Sequence, residues 1–119
     1  MVLVIDDDTF VREAIIDILE YEGIPLLTAV SGEAGIALYR EWMGEIDLIL
    51  LDMAMPGMDG AETYSELRKI NPSVSVLLSS GYTDQEVNNR FPPNSILGFL
   101  PKPYDLSELV TTVRRHLPL

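Results

Sequence analysis

Cysteine is absent from the 119 residues, which rules out disulfides and thiolate metal sites and agrees with a cytoplasmic protein. Basic residues are scarce: 8 Lys and Arg against 19 Asp and Glu leave a net charge of −11. Such a surface repels a phosphate backbone, so nucleic acid is not expected as a direct partner. No apolar run approaches the roughly 20 residues needed to cross a bilayer, and no membrane association is expected. No charged segment followed by an apolar one and a cleavage site opens the chain; Met1 leads straight into Val-Leu-Val-Ile-Asp-Asp-Asp. Histidine occurs once, as His116 near the carboxyl end, and reads as a surface residue.

What is present is a globular composition, 47% hydrophobic and 23% charged, at a length that suits one domain. Five short, near-continuous apolar runs alternate with segments of helical period: Val2–Ile5, Leu26–Val30, Leu48–Leu51, Val74–Leu78 and Ile96–Leu100. Runs of that kind read as parallel strands covered on both faces. The first helix carries Phe10, Val11, Ala14, Ile15, Ile18 and Leu19 and stops at Gly23. The second is expected from about Ser31 to Met43, and the third from Gly60 to just before Asn71-Pro72. Thr83-Asp-Gln-Glu86 and Asp105-Leu-Ser-Glu108 each set a cap residue three positions ahead of a glutamate and mark the fourth and fifth. Five such units with right-handed crossovers predict an α/β, doubly wound, flavodoxin-like (βα)5 fold with one five-stranded parallel sheet of order 2-1-3-4-5. Ligands of such sheets bind beyond the carboxyl ends of strands 1 and 3, where the winding reverses.

Asp6, Asp7 and Asp8 follow strand 1, and Asp52 follows strand 3. Carboxylates converging there repel one another unless a cation neutralises them, and an all-oxygen site suits magnesium. Asp8, nearest the helix start, reads as a cap, while Asp6, Asp7 and Asp52 read as the site. Strands 4 and 5 end in Ser79-Ser80-Gly81-Tyr82 and Lys102-Pro103-Tyr104. Alone, the first is an ordinary turn and the lysine an ordinary surface residue. Aimed at the same crevice, Lys102 supplies a cation for a carboxylate or a phosphoryl group and Ser80 a hydroxyl donor.

Four motifs in order, Val-Ile-Asp6-Asp7-Asp8, Leu-Asp52-Met-Ala-Met-Pro-Gly-Met-Asp-Gly60, Leu-Ser-Ser80-Gly-Tyr82 and Leu-Pro-Lys102-Pro103-Tyr104, resemble those of the receiver domains of bacterial response regulators and hybrid sensor kinases. The resemblance runs over essentially the whole chain. It implies that Asp52 accepts a phosphoryl group and that Asp6 and Asp7, with Asp52 and the backbone carbonyl of Ala54, serve magnesium. It also implies that Ser80 and Lys102 contact the phosphoryl oxygens and that Ser80 and Phe99 form a conformational switch. Serine stands at position 80 where threonine is commoner, and phenylalanine at 99 where tyrosine is, so the hydroxyl and the ring are both retained.

The implied activity is transfer of a phosphoryl group from a partner phosphohistidine to Asp52, with a conformational output. The chain would catalyse its own magnesium-dependent phosphorylation and dephosphorylation and is not a conventional enzyme. The implied partner is a sensor histidine kinase or a histidine phosphotransfer domain, and a weak homodimer is a further expectation. Three other readings compete. A haloacid-dehalogenase-like phosphatase would carry a second aspartate two residues past the nucleophile, where Ala54 stands. A pseudo-receiver would have lost part of the acidic or lysine set, and a flavin module would carry a Ser/Thr-rich loop after strand 1. The span 1–119 is read as one complete receiver domain without an output domain, either free-standing or, by preference, a fragment of a hybrid kinase or multidomain regulator.

Overall fold

A strand that is apolar on both sides needs cover on both sides, and the chain supplies it by winding helices over each face of one sheet. The computed structural model describes residues 1–80, 91, 96–101 and 105–117. Five strands, β1 (Val2–Ile5), β2 (Leu26–Ala29), β3 (Leu48–Asp52), β4 (Val76–Ser80) and β5 (Gly98–Pro101), form one sheet of order β2-β1-β3-β4-β5. Every adjacent pair is parallel, as expected. The helices among the described residues are α1 (Thr9–Tyr21), α2 (Gly32–Trp42), α3 (Gly60–Ile70) and α4 (Leu106–His116). The helix expected from Thr83 lies outside the described residues.

Alternation along the strands divides the core into two layers. Val2, Val4, Leu48, Leu50, Leu77 and Leu100 pack with Ile15 and Leu19 of α1 and Leu109 and Val113 of α4. Leu3, Ile5, Ile49, Leu51, Val76 and Leu78 pack on the other face with Ile36 and Tyr39 of α2 and Tyr64 and Leu67 of α3. Each fully buried leucine or isoleucine contributes about 1.5–3 kcal/mol of transfer free energy, so these layers supply most of the drive to fold. The edge strand β2 is less covered: its first three residues are only half-buried.

The helix ends follow their sequence signals. Gly23 has a φ of 72° and its N–H donates to the Glu20 carbonyl at 3.0 Å, while Ile24 N–H donates to Leu19 at 2.9 Å, a left-handed helix stop that a residue with a Cβ would strain. Ser31 caps α2 through a 3.1 Å bond from Ala34 N–H. Asp105 caps the last helix through a bond from Glu108 N–H. Among the described residues both reciprocal bonds of a capping box form at α3, between Asp59 and Glu62, a box without a sequence expectation, while the one expected at Thr83 and Glu86 lies outside the described residues.

Strands 4 and 5 differ from the sequence expectation in register. Both begin two residues later than the apolar runs that announce them, so Ser79 and Ser80 are in β4 rather than just past its apolar run. Hydrogen bonding outweighs side-chain polarity here, since Asp52 pairs with Ser79 and Ser80 with Pro101, and the ladder carries two serines along with it.

Gly60 marks the closest approach in this part of the fold. A Cβ there would come within 2.7 Å of Met53 Cα and 2.8 Å of the Asp52 carbonyl oxygen, both backbone atoms without freedom to give way. Gly60→Ala is therefore expected to lower the folding free energy by about 1–3 kcal/mol. Urea unfolding checks this; an unchanged midpoint would show that the turn after β3 is loosely held.

Candidate functional site

The polar site grows directly out of the apolar layer that faces α1 and α4. In β1 that face carries Val2 and Val4, in β3 Leu48 and Leu50, and in β4 Leu77. Continuing the two-residue period, Asp6, Asp52 and Ser79 take the next place on the same face. Asp6 N–H still donates to the Ala29 carbonyl at 3.2 Å, which keeps the chain extended for one residue past β1. Asp6 and Asp52 are 2% and 4% exposed, so these two carboxylates are held under the surface, while Asp7 beside them is exposed. One carboxylate oxygen from each of Asp6, Asp7 and Asp52 lies within 4.8 Å of the others.

Local hydrogen bonds fix the loop that presents them. Asp8 N–H donates to Asp6 Oδ1 at 2.9 Å, which orients that carboxylate. Asp8 itself turns the other way and caps α1, its Oδ1 accepting from Phe10 N–H at 2.9 Å and Val11 N–H at 3.2 Å. Arg12 folds back over the loop, donating from Nη1 to the Asp6 carbonyl at 2.8 Å and from Nη2 to Thr9 Oγ1 at 3.3 Å. On the β3 side, Met53 N–H donates to the Ser79 carbonyl at 3.0 Å, and Gly60 N–H to the Met53 carbonyl at 2.9 Å.

Two unit charges 4.8 Å apart repel by about 0.9 kcal/mol in water and about 3.5 kcal/mol at an effective dielectric of 20. The true value lies toward the lower figure for pairs involving the exposed Asp7. Hard oxygen donors from three side chains, two buried and one open to water, fit a small divalent cation that keeps part of its hydration shell. Magnesium is therefore compatible with the residues present.

The remaining sequence-predicted residues are distributed as follows. Ala54 is in the exposed loop after β3, two residues beyond Asp52. Phe99 sits in β5 in register with Leu78 and packs, half-buried, against the layer that faces α2 and α3. Ser80 ends β4, and its hydroxyl, like Lys102 and Tyr82, lies outside the described residues. His116 is in the last turn of α4, half-buried rather than fully on the surface, and its Nε2 is 3.9 Å from where a Cβ on Gly98 would be, at the opposite end of the sheet from the carboxylates.

Two residues escaped the sequence reading. Arg12 carried one signal, a cation close to a helix N-terminus, where the helix dipole opposes it and a compensating contact is to be expected. Ser79 is 1% exposed, and its hydroxyl has no hydrogen-bond partner among the described residues. An unsatisfied buried hydroxyl costs about 1–3 kcal/mol. Only the strand register, which the apolar pattern misplaced by two residues, could have pointed to it.

An open parallel sheet of this order, with an acidic cluster at its winding switch point, defines a doubly wound α/β protein with an acidic crevice that could hold a cation. Residues 2–114 match the family described as the response regulator receiver domain, and the chain belongs to that family. It is 35% identical to the sensor kinase CckA of Brucella abortus over 98% of its own length and 12% of the kinase. It is 27% identical to sporulation initiation phosphotransferase F of Bacillus subtilis, over 99% of this chain and 94% of that one. Among solved structures, the response regulator TrrA of Thermotoga maritima in complex with Mg(2+)-BeF superposes with a TM-score of 0.80 at 30% identity, covering 98% of this chain and 97% of that one. The chain is thus a receiver domain of two-component signalling, a phospho-accepting class, and the phosphatase and flavin readings fall away.

The geometry sets Asp8 apart from the cluster of Asp6, Asp7 and Asp52. Asp8→Ala removes the α1 cap and is expected to cost about 1 kcal/mol, or roughly 4 °C in melting temperature. The magnesium affinity measured by calorimetry should stay within about twofold of wild type. A loss of affinity on the scale of an Asp7 substitution would instead place Asp8 among the ligands.

Proposed function

We propose that Asp52 accepts a phosphoryl group from the phosphohistidine of a sensor histidine kinase or histidine phosphotransfer domain, with magnesium held by Asp6, Asp7, Asp52 and the carbonyl of Ala54. The observation that carries this reading is the gathering of three carboxylate oxygens within 4.8 Å around the end of β3. Magnesium, when bound, offsets the negative charge of these carboxylates and of the incoming phosphoryl oxygens.

Asp52 acts as the nucleophile. Its carboxylate oxygen forms a bond to phosphorus while the bond from phosphorus to the donor nitrogen breaks, and the electron pair leaves with the imidazole. No base is needed, because a carboxylate attacks without losing a proton. What the protein contributes is position: Asp52 ends a strand flanked on both sides by paired neighbours, so its carboxyl group is held in line at little cost in reorganisation. Arg12 and the Asp8 N–H hold Asp6 in the same way.

Lys102 and Ser80 complete the site by contacting the phosphoryl oxygens, and Ser80 and Phe99 carry the signal outward. Phe99 suits that role in being half-buried at the edge of the core, where a ring has two environments to choose between. The same chemistry run with water as acceptor returns the domain to its resting state. The domain works in the cytoplasm, without contacting nucleic acid or membrane, and associates with itself only weakly. None of the described helices is long and apolar enough to cross a membrane. The pseudo-receiver reading is disfavoured, since all three acidic positions are filled and converge.

Incubation with acetyl phosphate and magnesium should add one phosphoryl group by intact-mass spectrometry. Chelation should prevent it, and Asp52→Asn should abolish it with an unchanged circular dichroism spectrum. Equal labelling of Asp52→Asn would overturn the assignment.

A further inference from the structure

Of the three clustered acids, two are fixed by burial and one is not. Asp6, one residue past β1, and Asp52, the last of β3, are buried, and Asp6 Oδ1 also accepts from Asp8 N–H at 2.9 Å. Asp7 is exposed, and among the described residues its carboxylate makes no hydrogen bond or ion pair. One of its oxygens nevertheless lies within 4.8 Å of an oxygen from each of the other two. Like charges at that separation push the exposed group outward, so the backbone beneath it has to be held.

Arg12 supplies the hold. Its Nη1 donates to the Asp6 carbonyl oxygen at 2.8 Å and its Nη2 to Thr9 Oγ1 at 3.3 Å, a fork that spans the loop from β1 to the first turn of α1. The peptide group that carries the Asp6 carbonyl also carries the Asp7 N–H, and its planarity makes the two turn together. Holding the oxygen therefore fixes the plane from which the Asp7 side chain departs. We propose that Arg12 is a positioning residue for magnesium, acting through the Asp6–Asp7 peptide to keep the Asp7 carboxylate in the cluster. This rests on the reading of Asp6, Asp7 and Asp52 as a magnesium site and deepens it, because the strength of metal binding is then set from α1, by a side chain bonded to the loop's backbone. Acids already assembled bind a cation more tightly than acids that must be gathered at binding. The charge of Arg12 acts the other way, since a fixed cation beside the site opposes an arriving one. Position and charge thus give opposite signs when the guanidinium is removed.

Calorimetric titration of the chain with magnesium alone reads that sign. Arg12→Ala should bind magnesium about fivefold more weakly than wild type, which corresponds to about 1 kcal/mol. Arg12→Met, which keeps a stem of similar length for packing, should lose as much, and it carries the test should the alanine variant not fold. Arg12→Lys, which keeps the charge without the fork, should recover part of the loss. With acetyl phosphate as donor, the magnesium concentration that gives half the maximal rate of phosphorylation should rise about fivefold in Arg12→Ala, while the rate at saturating magnesium stays within about twofold of wild type. A merely structural role would lower the melting temperature in chelator and leave magnesium affinity unchanged. Equal or tighter binding by the Ala and Met variants overturns the inference, as does a loss in Arg12→Lys as large as theirs. If the wild type takes up no magnesium, the metal assignment fails and this inference falls with it.

Discussion

Mutual repulsion among Asp6, Asp7 and Asp52 is the constraint around which this domain is organised. Three acidic groups with oxygens within 4.8 Å of each other do not assemble by their own attraction. They are brought together because β1 and β3 are neighbours in the sheet, and because the two-residue period that buries Val4 and Leu50 sets Asp6 and Asp52 on the same side. The apolar core therefore holds the acids together against their repulsion, and that repulsion is what a bound cation would relieve.

The surrounding structure serves to keep that arrangement from relaxing. Arg12 grips the Asp6 carbonyl and the Asp8 N–H grips its carboxylate, so the loop after β1 has little freedom to swing an acid into solvent. On the other side, the close contact of Gly60 with the backbone of Met53 and Asp52 ties α3 to the end of β3. Outside the site the ties are weaker. The Arg114–Glu22 pair at 2.7 Å links α4 to the end of α1 but is exposed, and pairs of that kind contribute about 0–1 kcal/mol.

Much of this was legible in the amino-acid sequence where a single physical cause dominates. Val2–Ile5 could only be a covered strand, Gly23 was a plain helix stop, and the acids at 6, 7 and 52 followed from strand ends at a switch point. The reading slipped where two causes competed. β4 was placed two residues early because hydrophobicity stops at Leu78 while the hydrogen-bonded ladder continues through Ser79 and Ser80. With that slip, Ser79 fell just past the end of the apolar run and its pairing with Asp52 was hidden. Arg12 was missed for a different reason, since its role is a contact between a side chain and a backbone carbonyl six residues away, which leaves no periodic trace.

Carboxylate repulsion at the ends of β1 and β3 is built into the fold, and magnesium bound there would relieve it. Thermal melts of wild type and Asp7→Ala, each with chelator and with magnesium, address it most directly. Asp7 is exposed and its removal leaves no cavity, so packing does not confuse the result. Asp7→Ala is expected to melt higher than wild type in chelator, and magnesium to raise the wild type by several degrees while leaving the variant nearly unmoved. A wild type indifferent to magnesium, together with an Asp7→Ala variant that melts lower in chelator, would contradict it.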